Sequence, residues 1–170
     1  MTEVRWLSDR EQAVWRRFIY ATGKFYEELE RQLQRDSNMP HTYYTILVAL
    51  SESDNRTMRM SDLADECRSS RSRLSHAVAK LEAAGWVTRR GCPSDKRGSY
   101  AVLTDAGFAA IDDAAPGHVE WVRQHLFDVL TEEQLDQLER ICGAIENRID
   151  GDADNRMERQ LASGADRQVS

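Results

Sequence analysis

Between Arg71 and Leu103 the chain changes once from a helical to a strand-like pattern, and the change falls at a glycine. Leu74, Val78 and Leu81 recur at spacings of four and three, which predicts a helix from about Arg71 to Ala84 with those side chains buried. Gly85 stands where a helix commonly ends in the left-handed region. Two short β-prone runs follow, Trp86 to Arg90 and Ser99 to Leu103. Gly91-Cys92-Pro93-Ser94-Asp95-Lys96-Arg97-Gly98 between them is dense in turn formers and basic residues, so the runs read as a hairpin with a long tip. Upstream, Ser61 is expected to cap a short helix from Asp62 to about Cys67 that buries Leu63 and Ala64. The short turn Arg68-Ser69-Ser70 joins that helix to the next.

Two helices across a short turn are a helix-turn-helix, and a hairpin directly after the second makes it winged. The rest of the chain predicts long helices. Ser8-Asp9-Arg10-Glu11 is a capping box. The helix it opens carries an apolar stripe of Trp15, Phe18, Thr22, Phe25, Leu29 and Leu33, and is expected to end near Ser37-Asn38, before Pro40. Thr42 to about Glu52 reads as a second helix, Ser53 to Arg56 as a polar turn, and Thr57 to Met60 as a short strand. Thr104-Asp105-Ala106-Gly107 opens a fifth helix that Pro116-Gly117 should kink or interrupt. Thr131-Glu132-Glu133-Gln134 is a further capping box, before Leu135, Leu138, Ile141, Cys142, Ile145 and Ile149. The expected fold is mainly α with a small β-hairpin wing. It is organised as residues 1–40, a dimerisation helix; 41–104, the winged lobe; 105–150, further dimerisation helices; and 151–170, a disordered tail poor in large apolar residues.

A net charge of −6 does not at first suggest a polyanion as partner. The charge is unevenly placed, however. Residues 68–97 hold eight basic side chains against Glu82 and Asp95, an excess of +6, which leaves −12 for the remainder. Phosphate binding needs a local positive field, because salt screens charges beyond a Debye length of ~8 Å. The expected partner is therefore double-stranded DNA. In the helix, Ser69, Ser70, Arg71, Ser72, Arg73, Ser75, His76 and Lys80 are the candidate contacts. Arg71 and Arg73 can read guanine bidentately, and the serines and His76 can make shorter contacts. The bland alternative is a solvated helix face with Ser70 as an ordinary cap. In the wing, Arg97 is the candidate for the minor groove, with Lys96 on phosphate. Arg89 and Arg90 alternate along a strand, so at most one faces DNA.

Cys67, Cys92 and Cys142 are odd in number and have no zinc spacing, which predicts three reduced thiols, at least two of them partly buried, and no metal site. No catalytic constellation and no cofactor motif is present in the sequence, so an enzyme is not expected. No run approaches the ~18 apolar residues of a membrane span, and no signal-peptide pattern follows Met1, so a cytoplasmic location without membrane association is expected.

Three stretches sharpen this reading: Lys80-Leu81-Glu82-Ala83-Ala84-Gly85-Trp86-Val87, then Asp95-Lys96-Arg97, then Leu103-Thr104-Asp105-Ala106-Gly107. In this order they resemble the MarR family, whose pattern is a Leu-Glu-x-x-Gly helix end, an Asp-x-Arg wing and a Leu-Thr-x-x-Gly exit. The resemblance spans residues 10 to about 149, and Cys92 departs from the usual wing. It implies a homodimer on an inverted-repeat operator, acting as a repressor released by a small effector of aromatic or phenolic kind. It also implies that Asp95 orients Arg97 by a salt bridge. Tyr20, His41, Tyr44 and His118 are the candidate effector residues near the crevice the family uses. Two alternatives stay open: a winged-helix protein-interaction module without DNA binding, and a thiol-based redox sensor using Cys92 or Cys67. The first helix holds no cysteine, where peroxide-sensing relatives carry theirs.

Overall fold

In the computed structural model, Ser8 starts the first helix, α1 (Asp9–Ser37), through the expected reciprocal cap. The Ser8 hydroxyl accepts the Glu11 amide at 3.3 Å, and the Glu11 carboxylate accepts the Ser8 amide at 2.7 Å. Asn38 ends the helix in the left-handed region, at φ 48°. The structure describes residues 4–92 and 95–165, with side chains for 4–91 and 98–151. After α1 come α2 (His41–Glu52), a 3₁₀ turn (Asp54–Arg56), β1 (Thr57–Arg59), α3 (Met60–Glu66) and α4 (Arg71–Ala83). The wing strands β2 (Val87–Cys92) and β3 (Asp95–Leu103) lead to α5 (Asp105–Val122), a π-helical turn (Arg123–Phe127) and α6 (Glu132–Ala165).

The strands form one antiparallel sheet in the order β1-β3-β2. Ala101 and Leu103 of β3 and Val87 of β2 point inward and are buried. They complete a core built from Leu33, Ile46, Leu47, Leu50, Leu63, Leu74, Val78, Leu81 and Ile111. All of it lies in the first of two units, Met1–Val122 and Arg123–Ser170. In the second unit the Thr131 hydroxyl and the Gln134 side chain cap α6 reciprocally. Ile141, Ile145 and Ile149 of that helix are exposed.

Four expectations are corrected. Ser61 does not cap α3; the helix begins at Met60 straight from the strand, because Arg59 still pairs with Tyr100 in the sheet. The Ser61 hydroxyl instead donates to Asp62 at 2.9 Å. The hairpin strands extend further into the tip than their β-prone runs, since ladder pairing carries Gly91 opposite Ser99 and Cys92 opposite Asp95. Pro116 does not interrupt α5. A proline removes the bond to the carbonyl four residues back, here Asp112, and both residues lie on the exposed side, where water can take that carbonyl. Finally, α6 does not stop at Ile149: its backbone is helical to Ala165, through a stretch without proline.

The α1 stripe is as expected in spacing but only partly covered. Leu29 and Leu33 are buried and Phe25 is half-buried against Trp121 of α5. Val14, Trp15, Phe18 and Ile19, nearer the start, are 44–62% exposed.

Candidate nucleic-acid interface

The turn before α4 is built by Arg68, which takes a left-handed φ of 45° so that the Ser69 amide can return to the Ala64 carbonyl at 2.8 Å. Ser70 then caps α4, its hydroxyl accepting the Arg73 amide at 3.3 Å. Ser70 therefore has a structural duty whatever else it does. Leu74, Ala77, Val78 and Leu81 are buried, which turns the opposite face outward. Arg71, Ser72, Arg73, His76 and Lys80 are exposed there. Arg73, His76 and Lys80 share one stripe, by their spacing of three and four. The helix ends in a Schellman motif: Gly85 at φ 76° donates to Glu82, and Trp86 donates to Leu81, each at 2.9 Å.

A knot of hydrogen bonds joins that end to α5. The Thr104 amide donates to the Trp86 carbonyl at 3.0 Å and its hydroxyl to the Gly85 carbonyl at 2.8 Å. The same hydroxyl accepts the Gly107 amide at 3.0 Å, capping α5. Gly107 is required by contact: a Cβ there would stand 2.2 Å from the Trp86 carbonyl oxygen. The Leu-Thr-x-x-Gly run is thus a joint between α4, the wing and α5.

The two strand arginines part company. Arg89 is half-buried and turned to α4, where its guanidinium sits 3.0 Å from the Glu82 carboxylate and donates to the Ser75 carbonyl at 2.6 Å. Of the two strand arginines, Arg89 is thus the one with an internal partner, and Ser75, half-buried beneath it, does not share the outward stripe of Arg73. Arg90 is exposed, level with Tyr100 and Arg59 across the sheet. Arg59 donates to the Tyr100 hydroxyl at 3.0 Å, a basic-aromatic row that sequence reading passed over. Its signal was Arg59 closing the short β1 run. The side chains of Asp95, Lys96, Arg97 and Cys92 lie outside those described.

Of the effector candidates, three come together. The Tyr44 and His118 rings are 4.4 Å apart and His41 and His118 6.2 Å. Tyr26, which the sequence reading missed, stands 6.2 Å from His41. Tyr20 is 70% exposed on α1 and makes no ring contact with them. Burial holds the His41 imidazole below the ordinary histidine pKa, against the pull of Glu30. Burial and then His41 do the same to His118, whose Nδ1 is buried without a hydrogen-bond partner. An open cavity of about 960 Å³ runs from Tyr26 and His41 to Ser72, Arg73 and His76 on α4.

Among the described residues no group of metal ligands is assembled and no helix is long and apolar enough to cross a membrane. Cys142 is exposed; Cys67 is half-buried, and burial, with Glu66, pushes its thiol up to about 11. A thiol so rarely ionised is a poor nucleophile, which weighs against redox sensing at Cys67.

The MarR family model matches residues 37–98, the stretch from the end of α1 to the wing. Two crystal structures from Streptomyces coelicolor match most of the chain. Sco3205, a MarR family transcriptional regulator solved in complex with DNA, is 52% identical, with a TM-score of 0.82 over 85% of this chain and 91% of that one. AbsC, also a MarR family transcriptional regulator, is 41% identical, with a TM-score of 0.83 over 87% and 99%. The transcriptional regulator PecS of Dickeya dadantii (strain 3937) is 33% identical over 78 residues, 46% of this chain and 46% of its own length. With similarity at this level carried through the long helices as well as the winged lobe, the chain belongs to the MarR family of transcriptional regulators.

Proposed function

We propose that the chain is a homodimeric repressor that binds an inverted-repeat operator and leaves it when a small aromatic or phenolic effector binds. The observation that carries DNA binding is the outward face of α4, where Arg71, Arg73, His76 and Lys80 are exposed and the first acid, Glu82, is already paired with Arg89. The family relation to a protein solved on DNA supports the same reading. The first turns of a recognition helix point at base edges, which assigns base reading to Arg71 and Arg73. Arg97 would enter the minor groove, oriented by Asp95, with Lys96 and Arg90 on phosphate. The effector would enter the cavity between His41 and Arg73, with Tyr26, Tyr44 and His118 beside it. The site of action is then the cytoplasm.

A binding titration against three duplexes tests the assignment: the operator, one with a single base substituted, and one with G/C flanks. Arg73→Ala is expected to relax discrimination at one position per half-site by ~1–3 kcal/mol, as for a lost bidentate base contact. Arg97→Ala should lose most where A/T-rich sequence flanks the half-sites, and Asp95→Ala should resemble a mild form of it. Equal losses on all three duplexes for Arg73→Ala would move base reading to other residues, first Ser72 and His76.

The dimer rests on the uncovered apolar residues of α1 and α6, among them Trp15, Phe18, Ile141 and Ile145. Sedimentation at micromolar concentration should give twice 19.5 kDa. A monomer at that concentration would remove the two-half-site geometry.

A further inference from the structure

We propose that Arg89 and Glu82 are positioning residues that set the angle between recognition helix and wing, and so decide operator affinity without touching DNA. The inference rests on the DNA-binding reading above and adds to it a pair that orients the reading surface. Two hydrogen bonds and an ion pair carry it. The Glu82 carboxylate accepts the Arg89 amide at 3.1 Å, which ties strand β2 to the last turn of α4. It also lies 3.0 Å from Arg89 Nε as an ion pair. Arg89 Nη2 then reaches back to the Ser75 carbonyl at 2.6 Å. Glu82 and Ser75 are seven residues apart, about 10 Å along a helix axis. One guanidinium therefore bridges nearly two turns of α4 to the root of the wing.

The sequence around the pair suits the task. Ser75, Ala79 and Glu82 fall on one stripe by their spacing of four and three, and the residue between the two anchors is an alanine, which leaves room for the arginine stem. The adjacent stripe is Arg73, His76 and Lys80, so the anchored face is a neighbour of the reading face. Apolar packing of Leu74, Val78 and Leu81 holds α4 against the core on one face; a charged side chain anchored at two heights on another face opposes tilting of the helix against strand β2. The pair is partly exposed, its side chains 30% and 33% accessible, so its stabilising effect on the fold is small and its value lies in geometry.

The test uses the full chain with Glu82→Gln and Arg89→Met, each titrated against operator and against non-specific duplex over a range of salt, beside thermal melting. Both are expected to lose operator affinity on the order of tenfold, the scale of one mismatched base pair. The salt slope should stay as in the unaltered protein, because no phosphate contact is removed, and non-specific affinity should move only slightly and by charge alone, up for Glu82→Gln and down for Arg89→Met. The sign for Glu82→Gln is diagnostic. Removing an acid near DNA should tighten binding by charge alone, whereas loss of the clamp weakens it. The double variant should be no weaker than the worse single one. Operator affinity unchanged or raised in Glu82→Gln would overturn the proposal, as would a fall in salt slope of about one per half-site for Arg89→Met, which would return Arg89 to phosphate. A lower melting temperature with unaltered affinity would reduce the pair to a stabilising contact and overturn it equally. Should the unaltered protein bind no operator, the DNA-binding reading itself would fail, and that result is distinct from the others.

Discussion

Gly107→Ala is expected to destabilise the chain by about 3 kcal/mol, at the upper end of what inserting a methyl group into packed structure costs. The added Cβ would lie 2.2 Å from the Trp86 carbonyl oxygen and 2.7 Å from Leu103 Cδ1. The leucine end can turn aside. The carbonyl cannot, because it belongs to the backbone that accepts the Thr104 amide. Alanine favours a helix over glycine by ~1 kcal/mol, so the clash must exceed that gain before any loss appears. For a chain of this size the net change corresponds to a fall in melting temperature of roughly 6–12 °C, measurable by calorimetry. An unchanged melting temperature would mean that α5 sits further from the end of α4 than described.

The second large effect is on DNA affinity. Raising salt from 50 to 200 mM should weaken operator binding by ~10³–10⁵, as for proteins that neutralise on the order of 6–10 phosphates. A dimer would present Arg71, Arg73, Lys80, Arg90, Lys96 and Arg97 twice, enough cations for that range after Arg89 is withdrawn into its pair with Glu82. The rest of the chain, at −12, would repel DNA, so binding should be confined to this surface. Fluorescence anisotropy across a salt series reads the slope directly. A slope near zero would contradict electrostatic docking.

The features legible in the sequence are those decided within one turn of chain. Ser8 with Glu11 and Thr131 with Gln134 cap helices because their partners are three residues away. Gly85 ends α4 because the left-handed position needs a glycine nearby. The buried set of α4 follows from its period alone. What was not legible depended on neighbours distant in the chain. Sequence alternation says that Arg89 and Arg90 face opposite ways but not which way; buried Val87, two residues before Arg89, carries that parity, once β2 is known to pack on α4. The start of α3 moved because Arg59 is held by Tyr100, 41 residues away. Tyr26 was missed because nothing local brings it to His41. That approach depends on the left-handed Asn38 turning α2 back along α1, where Glu30 accepts the His41 amide at 2.9 Å.

The Thr104–Gly107 joint has a mechanical consequence. It fastens the start of α5 to the end of the recognition helix by one backbone bond and two through the Thr104 hydroxyl, so the two ends cannot slide past each other. His118 lies eleven residues along α5, about 16 Å from Gly107 at the rise of an α-helix. The helix is then a lever with its fulcrum at the glycine. A push of about 1 Å at His118 turns it by only about 3–4° on an arm of that length. The wing root and Gly85 share the fulcrum, so they would feel that turn as torque and not as displacement. A molecule wedged beside His118 would thus act on the reading surface by tilting it.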